Sequence, residues 1–420
     1  MTEADRDPPS VAWRSVRLIV AIWAIWATCI LAFQEIVSAR LEPERPDFVL
    51  EWTPTETGIR RMGGRPYLAE PDFNTHIAFD SEYYLSIAVV GYDDPEVPQY
   101  IPPRGPMVPL NYAFLPAYPF AMKVVAAPAV ALGMEPVTAA AFAGVAVSLA
   151  AALGAMFAVH RLARRHLGED GAVRAAFYLL IFPTGFFLAQ VYSEAFFLAA
   201  AFGSLAFVAD RRPLPAGLLA IVAVLTRPVG LALVLAIGVA LALAVLRWRR
   251  GESGAPSSAE WASWAFALIG PVVAYAVWAT SSLGQAFEVV QREYFGRGLL
   301  NLETAWRGWT DAFSGFADAL PETQVYYGLE VVAVVAAVIA CIWAFRRWPA
   351  ASAFGIATLA ISLASGEPQG MVRYVLAVPP IFFGLARLGT NPAFDRGWTI
   401  ASVMLMALLA AMYSVDFWVA

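Results

Sequence analysis

Long apolar runs separated by short polar breaks dominate this chain, and the breaks alternate between arginine clusters and turns rich in acids and aromatics. The first run, about Val11 to Phe33, is too long for a signal peptide and lacks its small-residue cleavage pattern, so it reads as a retained first span. From Gln34 to Met107 hydrophobicity drops and acids outnumber bases, which predicts one large outer loop over residues 34–110. Prolines at 43, 46, 54, 66 and 71 and the pair Gly63-Gly64 make its first half irregular, whereas Ser81 to Val90 has no breaker and predicts a short helix on the membrane surface, with Asp80 at its N-cap. Asn111 to Gly133 is apolar but interrupted by Pro116, Pro119 and Pro128 and by Lys123, so residues 111–133 are expected to form a broken or re-entrant outer-face element lining a cavity.

Beyond it the runs alternate regularly. One crossing, about Val137 to Val159, reaches the basic cluster His160, Arg161, Arg164, Arg165 and His166. A hairpin from about Ala172 to Ala209 turns on the outer side at GFFLAQVYSEAFF, and a second, about Leu214 to Leu246, turns at LTRPVG. Trp261 to Thr280, Val325 to Phe345, Ala350 to Leu363, Val375 to Leu388 and Thr399 to Tyr413 complete the set, with an outer loop over Ser281 to Gln324 and an outer turn, GEPQGMVRY. Against a window of roughly 20 residues this predicts about eleven spans in one all-α polytopic membrane domain covering residues 1–420. Arg6, Arg14 and Arg17 place the N-terminus in the cytoplasm by the positive-inside rule, and the C-terminus then falls outside.

Composition sharpens this picture. Sixty per cent of the 420 residues are apolar and 15% are charged, against roughly 25% charged in a soluble domain. The net charge of -5 is too weak to argue for nucleic acid, so no nucleic-acid partner is expected, and the partners implied are membrane lipids. Cys29 and Cys341 both sit in apolar runs, so no disulfide is expected.

Chemistry is best sought where ionisable groups interrupt the outer side. Phe79 to Tyr92 (FDSEYYLSIAVVGY) carries Asp80 and Glu82 among tyrosines and is followed by the run NYAFLPAYPF from Asn111. Glu194 sits in the Tyr192-Ser193-Glu194 turn, Arg227 in LTRPVG, and Arg373 with Tyr374 in the late outer turn. An ionisable residue flanked by apolar helices is a functional-site candidate by default. Each also has a plain structural reading: a helix-start dipole partner for Glu194, a salt bridge to Glu194 for Arg227, and snorkelling at a helix end for Arg373. Only three histidines are present, two of them in the basic cluster, so no histidine metal site can be assembled outside. No metal or other cofactor is expected, and divalent ligation by Asp80 and Glu82 alone stays open.

Asp80, Tyr84, Ile87, Ala88, Gly91 and Tyr92, followed by Phe114, Pro116, Tyr118 and Pro119, resemble the opening signature of the PIG-V-type mannosyltransferases, polytopic enzymes of the GT-C class. Tyr192-Ser193-Glu194, then Thr226, Arg227 and Gly230, then Arg373-Tyr374 resemble later segments of the same family in the same order. The resemblance implies an inverting glycosyltransferase of the cell membrane that moves mannose from a polyprenyl (dolichyl-type) phosphate carrier to an extracytoplasmic acceptor of unknown identity. Asp80 would take the acceptor proton, and Arg227 and Arg373 would bind the leaving phosphate. Glu82, Glu194, Tyr84, Tyr92, Tyr118, Tyr192 and Tyr374 are candidates for holding substrate, the tyrosines by stacking on sugar faces or, equally, as interfacial belt residues. The other readings are a transporter or flippase of a lipid-linked saccharide, against which the lack of symmetric halves speaks, and a non-catalytic subunit of an envelope glycosylation complex.

Overall fold

The computed structural model describes residues 9–41, 74–95, 97–103, 105–252, 254–317, 320–366, 369–415, 417 and 419. The glycine pair and prolines expected to make the outer loop irregular lie outside the described residues, as does Arg6.

The long first helix, α1, runs Pro9–Arg40. After the first loop come α2 (Asp80–Val89), a two-residue antiparallel ladder of β1 (Gln99–Tyr100) with β2 (Val108–Pro109), a 3-10 turn at Leu110–Ala113 and α3 (Ala117–Ala131). A tight turn leads into α4 (Pro136–Leu180), two helices joined at Gly168, whose φ of 69° reverses the chain. Then follow α5 (Glu194–Ala209), α6 (Pro213–Thr226), α7 (Ala232–Arg249), α8 (Ser258–Thr280) and the short α9 (Ser282–Val289). The remainder is α10 (Leu302–Ser314), α11 (Pro321–Ala344), α12 (Pro349–Leu363), the single turn and a half of α13 (Met371–Val375), α14 (Pro379–Leu388) and α15 (Pro392–Ser414).

Proline opens α4, α6, α11, α12, α14 and α15. Its fixed φ suits the first helical turn and it lacks only an N–H that would have no intrahelical partner there. Side-chain caps reinforce the starts of α4, α8, α9 and α15. Glu135 accepts the N–H groups of Val137 and Thr138 at 2.9 and 2.8 Å, and Ser257 with Glu260 forms a reciprocal capping box at α8.

Among the described residues six helices are long and apolar enough to cross a membrane. They carry large apolar side chains on their exposed faces, such as Ile25 on α1, Val277 on α8, Ile339 on α11 and Met404 on α15, and the chain is an integral membrane protein. Four further apolar helices (α3, α5, α6 and α12) are shorter than a full span, so the eleven expected crossings resolve into six full-length helices and a set of short ones. The expected span over Val375 to Leu388 is not continuous: Pro379 and Pro380 restart the helix, leaving only α14.

The short helices matter for the site. At 1.5 Å per residue, α5, α6 and α12 reach roughly 21–24 Å, less than a hydrocarbon core of about 30 Å. One end of each lies with the arginine clusters. Arg165 donates to the Asp210 carboxylate beyond α5 at 2.9 Å, Arg212 precedes α6, and Trp348 before α12 donates its indole N–H to Leu162 O at 2.8 Å. The other ends, at Glu194, Thr226 and Ser362, line one cavity. Helices that stop short thus leave room for that cavity, which the loops and α2 cover.

Two large apolar clusters hold the bundle, and a small third, Ala126 with Ala139 and Ala143, joins α3 to α4. The largest joins α1, α4, α5, α6, α7, α12, α14 and α15; the second packs Tyr83, Tyr84, Phe114, Tyr118 and Met122 over the open ends of the short helices. In α2 every residue from Ser81 to Ala88 is buried, so α2 is an internal element of this cover and not the membrane-surface helix expected.

Candidate active site

Asp80 opens α2, with Phe79 rather than Asp80 at the cap position. Phe79 has φ 54° and ψ −117°, a conformation rare for any residue but glycine, and it turns the chain directly into Asp80. The turn is pinned from two sides. The Asp80 N–H donates to the Tyr192 hydroxyl at 3.2 Å, and the Ser81 and Tyr413 hydroxyls are 2.9 Å apart. A carboxylate held this way can face its partners without spending its own oxygens on a helix cap.

Those partners are arginines. Arg373 Nη1 lies 3.8 Å from Asp80 Oδ2, and Arg373 Nε lies 3.4 Å from Glu194 Oε1. Glu194 also accepts from Arg227. The Glu194–Arg227 salt bridge put forward on sequence grounds is therefore present, and Glu194 bridges two guanidinium groups. Arg227 has an extended backbone (φ −148°, ψ 136°) between α6 and a 3-10 turn at Pro228–Leu231, which projects its side chain across the open end of α5. Arg373 sits on α13, which begins at Gly370 in the left-handed region (φ 83°).

A third guanidinium enters from the loop between α9 and α10. Arg297 donates to the Tyr374 hydroxyl at 2.5 Å and to Gln369 O at 3.0 Å. The loop is strapped down by backbone bonds from Gly298 N to Ser365 O and from Asn301 N to Ala364 O. Arg227, Arg297 and Arg373 all lie 5.2–5.8 Å from the centre of the Tyr374 ring, within cation–π range.

The charged residues lining the cavity, about 770 Å³ in volume, are Asp80, Glu194, Arg227, Arg297 and Arg373. Three guanidiniums against two carboxylates leave one positive charge facing an otherwise mostly apolar space, a setting that favours an anion. Burial raises the pKa of Asp80; Arg373 opposes that rise and Glu194 adds to it, and the balance leaves the carboxyl above its usual 3.8. Burial alone would raise the Tyr374 phenol too, but Arg297, Arg373 and Arg227 more than offset it and bring it down to about 8. Among the described residues no group of three metal-ligating side chains gathers anywhere.

Of the residues singled out by sequence, Asp80, Tyr84, Glu194, Arg227, Arg373 and Tyr374 line this cavity, and Tyr192 supports Asp80 from behind. Tyr84 donates its hydroxyl to Ser193 at 2.9 Å. Glu82, Tyr92 and Tyr118 do not line it. Glu82 is buried inside α2's packing, Tyr92 donates to Phe114 O at 2.9 Å, and Tyr118 donates to Gly144 O at 3.1 Å. The broken element expected to line the groove contributes only Ala113, Phe114 and Leu115, while α3 turns away. Sequence reasoning missed Arg297 and Glu330. Glu330 was visible in principle as an acid inside the apolar run of α11; it accepts two backbone N–H groups at the start of α13.

No protein-family model matches this chain. No curated protein matches it either. Among solved structures, an oligosaccharyltransferase from Archaeoglobus fulgidus in complex with Zn and sulfate is similar at 16% identity and a TM-score of 0.43, over 92% of this chain and 53% of that one. ArnT from Cupriavidus metallidurans, bound to undecaprenyl phosphate, is similar at 15% identity and a TM-score of 0.45, over 93% and 76%. The Archaeoglobus fulgidus enzyme AglB, in complex with an inhibitory peptide and a dolichol-phosphate, is similar at 16% identity and 0.40, over 93% and 55%. This chain spans about half the length of the two archaeal chains. Scores at this level leave the fold family unassigned.

Proposed function

We propose that this protein is an inverting GT-C-type glycosyltransferase that moves a sugar, mannose by the motif resemblance, from a polyprenyl phosphate carrier to a hydroxyl acceptor on the extracytoplasmic side. The observation that carries the reading is the placement of Asp80 beside Arg373 in a cavity whose lining keeps one surplus positive charge.

In the proposed reaction the acceptor oxygen attacks the anomeric carbon while Asp80 takes its proton. The bond from that carbon to the phosphate oxygen breaks, and the lipid phosphate leaves carrying the bonding pair. Asp80 suits the first task because burial keeps its carboxyl more basic than usual, so it accepts a proton more readily. Arg227, Arg297 and Arg373 suit the second, since guanidinium binds phosphate oxygens in pairs and stays charged at membrane depth. Glu194 holds Arg227 and Arg373 in place before substrate arrives, which spares reorganisation during the reaction. Apolar walls from Leu110, Phe114, Val229 and Phe295 suit the first isoprene units of a carrier.

The deciding experiment is transfer of labelled mannose from polyprenyl-phosphate-mannose in membranes containing this chain, with Asp80→Asn beside it. Label appearing in product with the native chain and absent with Asp80→Asn supports the reading. Transfer that persists in Asp80→Asn removes Asp80 as the base, and no transfer from this donor, with several extracts offered as acceptor, removes the mannose assignment.

A further inference from the structure

At the opposite end of the bundle from Asp80 lies a second recess, about 190 Å³, between α4, α5, α7 and α12. Four arginines from four different segments rim it: Arg165 on α4, Arg211 in the α5–α6 turn, Arg247 near the end of α7 and Arg347 between α11 and α12. Its floor is apolar, with Leu205, Leu243 and Trp264. One wall is fixed by the Trp348 indole, bonded to Leu162 O and met edge-on by His166 at 4.8 Å between ring centres.

Three of the four charges here are uncompensated. Arg165 is neutralised by Asp210, and among the described residues Arg211, Arg247 and Arg347 have no carboxylate within 4 Å. Arg211 moreover sits at φ 57°, where a residue other than glycine is strained, yet it faces the recess. The positive-inside tendency explains arginine at this end of the helices. It does not explain why these four converge on one apolar-floored recess while Arg249, Arg250 and Arg346 stay off it.

We propose that this recess binds the headgroup of an anionic phospholipid from the cytoplasmic leaflet. Basic pockets between membrane helices on that side suit phosphate headgroups. The recess is smaller than the roughly 300 Å³ at which pockets begin to enclose a whole drug-sized ligand. It therefore takes a phosphate and its glycerol, with the acyl chains left to run along the exposed apolar faces outside. An apolar floor contributes nothing to an inorganic phosphate or a nucleotide base edge, which favours lipid over a soluble phosphate.

The test uses the full chain in detergent, with phosphatidylglycerol titrated against phosphatidylcholine and binding read by native mass spectrometry and by the shift in melting temperature. The variant Arg211→Gln/Arg247→Gln/Arg347→Gln is compared with Arg249→Gln/Arg250→Gln/Arg346→Gln, which removes the same charge at the same end. The expected result is a roughly 100-fold loss of phosphatidylglycerol affinity in the first and none in the second, from a factor of about five per arginine. Should the first variant fail to fold, Arg211→Gln alone is expected to show the roughly fivefold loss. Equal loss in both triple variants would reduce the effect to diffuse surface charge and overturn the proposal. Displacement of phosphatidylglycerol by millimolar inorganic phosphate would overturn the choice of a lipid.

Discussion

Glu330 accepts the backbone N–H of Gly370 at 2.8 Å through one carboxylate oxygen and that of Val372 at 2.6 Å through the other. A fully buried carboxylate on α11 thereby fixes the first turn of α13, and α13 is the segment that presents Arg373 and Tyr374 to the cavity. A helix this short has little stability of its own. Glu330→Gln keeps one acceptor and loses the other, so stability should fall by about 1–3 kcal/mol, and displacement of Arg373 should slow transfer by roughly 100-fold. Kinetics normalised to folded protein decide the matter: unchanged turnover and KM beside a lower melting temperature would leave Glu330 a structural residue only.

Asp80→Asn is expected to lower turnover by roughly 10²–10⁴-fold, the range for loss of a positioned base, while polyprenyl-phosphate binding persists. The native rate should also fall as pH drops through the raised pKa of Asp80, because the base is lost on protonation. Stability has the opposite dependence. With the folded pKa above the unfolded value of 3.8, the native state holds the extra proton, so this group's contribution declines as pH rises between the two. A rate profile whose acid limb survives in residual Asp80→Asn activity would assign that limb to another group.

How much of this was legible in the sequence follows from what a membrane punishes. Glu194, Arg227 and Arg373 each interrupt an apolar stretch, and burying such a charge is costly enough that position alone was informative; Asp80 lies among the acids of the first loop and stood out through the motif resemblance. Tyrosines carry no such signal. Tyr92 and Tyr118 spend their hydroxyls on Phe114 O and Gly144 O, and a ring that packs looks in sequence like a ring that stacks on a sugar. The burial of α2 was hidden because α3, α4 and the loop after α9 cover it, all distant in the chain. Arg297 was hidden by its neighbours. Arg292, Arg297 and Arg307 all have glutamate four residues earlier, the spacing of a helical surface pair. Arg292 and Arg307 do pair in that way, with Glu288 and Glu303. Gly296, at φ 64°, breaks the helix between Glu293 and Arg297, so Glu293 takes the Tyr100 hydroxyl and Arg297 is released toward Tyr374.

Tyr374 supplies a test on the alkaline side. Its phenol, brought down to about 8 by the three arginines, becomes a phenolate above that pH and competes with a substrate phosphate for the same guanidiniums. KM for the lipid donor should therefore rise above pH 8, and Tyr374→Phe should abolish that rise. Because the folded pKa lies below the unfolded 10.0, the native chain should also gain stability relative to Tyr374→Phe as pH climbs from 8 to 10. Identical KM profiles for the two proteins would show that Tyr374 stays neutral or stands clear of the phosphate.

Gly230 leaves no room for a side chain in the turn after Arg227. A Cβ built there would lie 2.7 Å from backbone atoms of Ala223 and Val224, closer than real side chains come. The 3-10 turn at Pro228–Leu231 thus folds back on the last turns of α6, and its N–H donates to Arg227 O at 2.9 Å. Backbone cannot yield as a flexible side chain would, so Gly230→Ala must push the turn off α6 and carry Arg227 away from Glu194. Overpacking of this kind costs about 1–3 kcal/mol, and the lost preorganisation should raise the donor KM more than it lowers expression. Arg227→Gln provides the comparison. If displacement of Arg227 is the route, the double variant Gly230→Ala/Arg227→Gln should be no worse in KM than Arg227→Gln alone. Additive losses would show that Gly230 acts through some other part of the cavity wall.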